Sequence, residues 1–406
     1  MGATMKVYIA ANGVGLGHIV RCHVVAHELA THGADVLFST YLDGLEYARR
    51  AKLNTVYSIP ISYQVRPDGS VDLKATSTKS GLSLGIRRFL QQLIVEIRNV
   101  KRYDPDVVLV DSRLSSLLAA RLLGKPVATI LNQYRINLIH GNKYPKRGIL
   151  DRIFLLIARL GWTFFGILIS ELWCLSRILL VPDFPPPLTI SKRNLIFPKR
   201  HAHKVRFVGP LLDTGVRSTR VMDTVFQRVL ESHKPLIYAA ISGPEHEREP
   251  LVRKLLPILA ELPEKLNVVA SCGNPSGANR PTRLGHAQVF EWMDNQDEML
   301  QTCDMVISRA GHSTILKAMI TGKPLLIIPT PFQTEQMANA DSARSLGIAV
   351  VLEQERLSKE SLLADINLII NNPRYTRNAG QIRKRTRGFD APRECRRIIE
   401  GLISGV

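Results

Sequence analysis

Short apolar runs that end in small residues alternate with amphipathic stretches twice along this chain, and few folds accommodate that rhythm. In the first 135 residues, Val7–Ala11, Ala34–Thr40, Asp106–Val110 and Pro126–Leu131 predict strands, with helices over Ile19–Thr31 and Ser115–Leu123. The pattern returns with strands at Pro235–Ile241, Asn267–Ser271, Val289–Trp292, Met305–Ser308, Pro324–Pro329 and Val350–Leu352. Between them, Glu249–Glu261, Gln296–Thr302, Ser313–Thr321, Glu335–Ser345 and Lys359–Asn371 predict helices. Strands alternating with helices specify parallel sheets covered on both faces. The expected fold class is therefore α/β, with two doubly wound Rossmann-like domains facing a central cleft. A length of 406 residues suits two domains. The boundary is expected near Val208-Gly209-Pro210-Leu211, giving domains 1–210 and 211–390. A terminal helix over Ala391–Ser404, within 391–406, is expected to return to the N-terminal domain.

Fifty-four Lys and Arg against 35 Asp and Glu give a net charge of +19. Such a surface attracts polyanions: nucleic acid, anionic headgroups or phosphorylated substrates. Nucleic acid is not the expected partner, because aromatics are 6% and do not interleave with basic residues as a stacking platform requires. Five widely spaced cysteines without a CxxC pair exclude a disulfide scaffold and a structural zinc cluster, and point to reduced thiols in a cytosolic compartment. The opening residues run straight into a strand, and residue six is Lys6, so neither a secretory leader nor myristoylation is expected.

Residues 149–181 are apolar but carry Asp151, Arg152, Arg159, Glu171 and Arg177. The longest uncharged run, Leu160–Ser170, is too short for a span, which needs about 20 apolar residues. Helices lying on or dipping into a membrane, or a pair of buried helices, both fit. Basic residues flank the segment: Arg135, Lys143, Lys146, Arg147 and Arg152 at one end, Lys192, Arg193, Lys199, Arg200, Lys204 and Arg206 at the other. That framing suits an anionic membrane surface.

Four loops at strand ends could carry chemistry. In Asn12-Gly13-Val14-Gly15-Leu16-Gly17-His18, glycines let the backbone turn and approach a ligand, and His18 stands where a base would face a cleft. The spacing is not the GxGxxG of a dinucleotide site, and Asp35 opens the second strand rather than ending it. Ser308-Arg309-Ala310-Gly311-His312-Ser313-Thr314 ends a strand and starts a helix, whose free N–H groups and hydroxyls suit a diphosphate; an ordinary Ser/Thr cap is the alternative. Glu335 and Gln336 offer the acceptors and donors that grip sugar hydroxyls. Ser242 and Gly243 stand at a fourth strand end. Asp111, ending its strand, could orient His18, act as a second base, or cap the next helix. Asn132 and Gln133 occupy a similar edge.

The order and spacing of these clusters resemble the GT-B glycosyltransferases. Family 28 is the nearest branch, including the lipid-linked N-acetylglucosaminyltransferase of peptidoglycan assembly and a less characterised bacterial and archaeal group. The resemblance implies a nucleotide-sugar donor, most simply a UDP-sugar, held by the second domain. Ser308, Arg309, Gly311, His312, Ser313 and Thr314 would hold the diphosphate, bordered by Ser242 and Gly243. Glu335 and Gln336 would hold the sugar, and Phe290, Trp292 and Met293 would mark the base region, largely through backbone groups. Gly13, Gly15 and Gly17 would face the donor across the cleft, with Asn132 and Gln133 on the acceptor side. His18 would be the catalytic base, with Asp111 as its partner. Relatives place a ribose-binding Glu where this chain has Lys317, which has donors but no acceptor.

Together these readings predict an inverting, metal-independent transferase without a cofactor, peripheral on the cytoplasmic face of the membrane. Its acceptor would be a membrane lipid or lipid-linked sugar. A sugar-nucleotide 2-epimerase and a non-catalytic membrane scaffold are the alternatives.

Overall fold

The computed structural model describes residues 4–61, 82–134, 166–212 and 232–404. Its first sheet has seven strands: β1 (Lys6–Ala11), β2 (Asp35–Thr40), β3 (Thr55–Tyr57), β4 (Val107–Asp111), β5 (Val127–Ile130), β6 (Ile178–Val181) and β7 (Val205–Phe207). All pair in parallel, in the order β3-β2-β1-β4-β5-β6-β7. Helices α1 (Gly17–Thr31), α2 (Asp43–Arg50), α3 (Leu82–Tyr103) and α4 (Leu114–Leu122) connect them.

The second sheet contains β8 (Leu236–Ala240), β9 (Asn267–Ser271), β10 (Pro281–Leu284), β11 (Ala287–Phe290), β12 (Met305–Ser308), β13 (Leu325–Ile327) and β14 (Ala349–Val351). The order is β10-β11-β9-β8-β12-β13-β14, parallel except for the β10–β11 hairpin. Its helices are α5 (Glu245–Ala260), α6 (Gln296–Thr302), α7 (His312–Thr321), α8 (Thr334–Ser345), α9 (Lys359–Asn371) and α10 (Pro373–Arg385), and α11 (Ala391–Ser404) ends the chain. The α/β class with two doubly wound sheets is borne out.

Each sheet reverses its strand order once, between β1 and β4 in the first and between β8 and β12 in the second. Open α/β sheets bind ligands in the crevice outside the carboxyl ends of the strands at such a switch point. All four loop-bearing strands of the sequence reading lie at or next to these points.

Both faces of each sheet are buried. Val7, Ile9, Val107, Leu109 and Ile130 pack on one side of the first sheet with Cys22, Val25 and Leu29 of α1. Ala391, Cys395 and Ile399 of α11 join that cluster, so the terminal helix rests on the first domain. Each such fully buried Val, Leu or Ile contributes about 1.5–3 kcal/mol. On the other face α3 is tied down by polar groups. Its fully buried Glu96 accepts from Tyr8, Ser39, Ser58, Ser116 and Arg113, the last at 2.6 Å. Burial alone would push this carboxyl up; Arg113 and the serine hydroxyls outweigh it and hold it below its ordinary value.

Two expectations are corrected. Ile178–Val181, read as the end of a membrane-associating segment, is strand β6, with Leu179, Leu180 and Val181 buried between β5 and β7. A parallel strand covered on both faces is a continuous apolar run, which hydropathy does not separate from an apolar helix. Upstream, residues 166–173 are helical, with Trp173 buried and Ile167 and Leu168 exposed. Residues 149–165 lie outside the described residues. No helix among the described residues is long and apolar enough to cross a membrane. Second, the first domain does not keep all of its residues to itself. Phe184, Leu188 and Ile190, in the loop after β6, are buried in the core of the second domain with Leu236, Tyr238 and Leu316.

Candidate active site

The two switch points face each other across a cleft of about 400 Å³. From the first domain it is lined by Asn12, Val14 to His18, Arg21, Ser112, Asn132, Gln133 and Trp173. From the second it is lined by Ser242 to Pro244, Glu247, Arg309 to Thr314 and Phe332 to Gln336. The β1–α1 loop touches the facing domain. Gly15 is left-handed (φ +74°), and a Cβ there would lie 3.4 Å from Pro244. A Cβ on Gly17 would lie 3.8 Å from Oγ of Ser313. The loop is fixed from behind: the Val14 amide donates to Oδ1 of Asn12 (3.0 Å) and the Gly15 amide to Oδ2 of Asp43 (3.0 Å). Gly13 does not line the cleft. A Cβ there would lie 1.8 Å from the Tyr41 carbonyl oxygen, so the glycine lets the loop pass that backbone instead.

β1 and β4 are neighbours with Ala11 opposite Asp111, which brings Asp111 beneath the loop carrying His18. Nδ1 of His18 lies 2.8 Å from Oδ1 of Asp111. His18 is partly exposed at the cleft and Asp111 is fully buried. Arg21 donates through Nε to Oδ2 and through Nη2 to Oδ1 of the same carboxylate. Burial alone would raise the Asp111 carboxyl; the Arg21 guanidinium and His18 outweigh that and hold it well below the usual carboxylate range. Buried and paired in this way, Asp111 is placed to orient the His18 ring and is turned away from the cleft. Across the cleft, Asn132 donates from Nδ2 to Oε1 of Glu335 at 2.6 Å.

On the facing domain, α7 starts at His312 behind Gly311, and no side chain caps it. Its first-turn N–H groups therefore remain open to an anion. A Cβ on Gly311 would lie 3.7 Å from Oγ1 of Thr314 and 3.9 Å from Oγ of Ser242, so hydroxyls surround the helix start. Ala310, just before it, is left-handed at φ +64°, a strained conformation for a residue with a Cβ, and its carbonyl accepts from Nδ2 of Asn339 (3.2 Å).

Other expected ligand side chains are turned to internal partners. Arg309 is buried, ion-paired to Glu247 (2.9 Å), and donates to Thr330 and to the Ser242 carbonyl (3.2 Å). It braces the loops around the start of α7. His312 turns its Nε2 to Oδ2 of buried Asp183 (3.0 Å). Gln336 accepts from the Thr330 amide at Oε1 (2.9 Å) and donates from Nε2 to Glu247 (3.4 Å), whereas Glu335 has its partner, Asn132, on the other domain. Phe290 and Met293 are in the hydrophobic core and do not line the cleft. Trp292 is buried, with Nε1 donating to Asp294 (2.6 Å) and Arg50 of the first domain 5.2 Å above its ring. Any base contact in this stretch therefore falls to the backbone. Lys317 is ion-paired to Asp297 at 2.6 Å and also stands outside the cleft.

Sequence reasoning missed Arg21, Trp173, Asp183 and Glu247. Arg21 carried a signal: three residues after His18 on a helix, it shares the same face. Glu247 and Asp183 carried none, since their partners come from distant segments.

Residues 246–390 match the glycosyltransferase family 28 C-terminal domain. The chain is 28% identical over 404 residues to an uncharacterized glycosyltransferase of Methanosarcina acetivorans, covering 98% of both. The structure resembles the calicheamicin glycosyltransferase CalG4 (TM-score 0.65, 16% identity, 99% of both chains). It also resembles MurG of Acinetobacter baumannii (TM-score 0.58, 21% identity, 98% of this chain and 99% of that one). The chain is a glycosyltransferase with the GT-B fold, and its second domain is similar to the C-terminal domain of family 28.

Proposed function

We propose that this glycosyltransferase moves a sugar, with inversion and without a metal, from a nucleoside-diphosphate sugar, most simply a UDP-sugar, to a hydroxyl of a membrane lipid or lipid-linked acceptor. The observation that carries the reading is the approach of the His18 loop to the uncapped start of α7, with Gly17 against Ser313. A donor diphosphate on α7 and an acceptor hydroxyl at His18 would then flank one anomeric carbon.

The acceptor oxygen attacks that carbon on the face opposite the diphosphate, and its proton passes to Nε2 of His18. The bond from carbon to the diphosphate oxygen breaks, and the electron pair leaves with the diphosphate. The N–H groups of the first turn of α7 and the hydroxyls of Ser313 and Thr314 meet that charge, the role a metal would otherwise take. The imidazolium formed is stabilised by Asp111. Closure of the two domains keeps water from the donor.

A membrane-bound acceptor is supported by α3. Ile86, Leu90 and Ile94 are exposed at successive turns, beside exposed Arg87, Arg88, Arg98, Lys101 and Arg102. The helix's one acid, Glu96, is buried. Apolar side chains among cations, on a chain of net charge +19, suit peripheral association with an anionic leaflet, taken here as its cytoplasmic side.

The test is a transfer assay with a panel of nucleotide sugars and a total lipid extract, with and without EDTA, read by mass spectrometry of the organic phase. The reading predicts a glycosylated lipid that forms equally with EDTA. Isomerisation of a sugar nucleotide with no lipid product would contradict it.

A further inference from the structure

Arg21 leaves one hydrogen-bonding question open beside His18. Its Nη2 donates one proton to Oδ1 of Asp111. The other has two acceptors in reach, Nδ1 of His18 at 2.8 Å and Oδ1 of Asn132 at 3.5 Å. A guanidinium only donates, and an ionised carboxylate only accepts. The two neighbours of Nδ1 therefore make opposite demands. Toward Asp111 (2.8 Å) Nδ1 must carry the proton, which leaves a lone pair on Nε2 for the cleft. Toward Arg21 it must be bare, and Nε2 then carries the proton and cannot accept another.

Asn132 stands between these outcomes. Its Nδ2 is given to the Glu335 carboxylate, so its carbonyl oxygen is the end turned to Arg21. Glu335 belongs to the second domain, and the amide is therefore steadied by a contact across the cleft.

We propose that Arg21 is a positioning residue that selects the tautomer of His18, and that Asn132, anchored on Glu335, draws the spare Arg21 N–H from Nδ1 so that the base-competent tautomer belongs to the closed cleft. This rests on the reading of His18 as the base. In an open cleft Asn132 loses its anchor, Arg21 donates to Nδ1, and His18 has no lone pair to offer water. Proton abstraction is thereby tied to closure, which limits donor hydrolysis.

The test reads the tautomer directly, by long-range ¹H–¹⁵N NMR of the full chain labelled at histidine, at pH 9, with His18 assigned from His18→Gln. Wild type is expected to show Nδ1 protonated and Nε2 bare. Asn132→Ala is expected to invert the two, and Arg21→Met is expected to restore the wild-type pattern in the Asn132→Ala background, a rescue that general loosening would not produce. One unchanged tautomer in all these variants overturns the proposal. Should Arg21→Met not fold, Glu335→Ala decides: it must reproduce the Asn132→Ala inversion, and failure to do so overturns the proposal. The base reading is judged separately by transfer kinetics of His18→Ala. A tautomer that switches as predicted while that variant transfers sugar at the wild-type rate would remove His18 as base and leave Arg21 as the selector.

Discussion

Nε2 of His312, at the start of α7, lies 3.0 Å from Oδ2 of Asp183, which belongs to the loop after β6 in the other half of the chain. That carboxylate also accepts from the Ile190 and Ser191 amides and from the Ser191 hydroxyl. One buried anion thus fixes the crossing loop and the start of α7. Burial would raise Asp183, but His312 and Ser191 outweigh it and hold its carboxyl below the ordinary value. The linkage has a definite sign. A carboxyl depressed on folding contributes stability above its unfolded value, near pH 4, and that contribution is lost as pH falls further. Asp183→Ala is expected to cost about 3–5 kcal/mol at pH 7, because it leaves buried donors unmatched. Urea unfolding at pH 7 and pH 3.5 checks this: the variant should lose less stability than wild type between the two. An equal loss in both proteins would show that Asp183 is not the group responsible.

The uncapped start of α7 makes a binding prediction. Ser313→Ala and Thr314→Val each remove a donor to a charged ligand, an interaction of about 1.5–3 kcal/mol. Titration calorimetry with a set of nucleoside diphosphates should therefore find binding weakened roughly ten- to a hundredfold for the preferred one. Arg309→Met should instead lower the melting temperature sharply, because Arg309 is paired inside the protein to Glu247. Unchanged diphosphate affinity in both hydroxyl variants would move the donor site away from α7.

The exposed face of α3 makes a different one. Leu90→Glu with Ile94→Glu should abolish co-sedimentation with vesicles containing anionic lipid, while stability stays within about 0.5 kcal/mol per exposed site. Retained vesicle binding would place membrane association elsewhere on the chain.

Much of this was legible because parallel α/β units write themselves in sequence as apolar runs ending in small residues. The predicted terminal helix Ala391–Ser404 and strand Met305–Ser308 agree with α11 and β12 to the residue. Segments whose environment is set elsewhere were not legible. β6 hides inside a longer apolar stretch, because only its neighbours β5 and β7 reveal that both faces are covered. Arg309 and His312 sit at the expected loop, but the direction of each side chain is decided by Glu247 and Asp183, and no local pattern marks those partners. Phe290 and Met293 fall where the resemblance placed them in the chain, yet the apolar side chains belong to the core. Asp111 was visible as a strand-end carboxylate, and its pairing with Arg21 needed the adjacency of β1 and β4.

The most direct test of the account is the kinetics of His18→Ala, measured as sugar transfer or slow donor hydrolysis alongside donor affinity by calorimetry. A general base contributes roughly 10²–10⁴-fold to rate. A general-base role for His18 predicts a fall in turnover of that size with donor affinity nearly unchanged, since the proposed donor site is on the other domain. Turnover that survives the substitution, or a loss of affinity matching the loss of turnover, would contradict it.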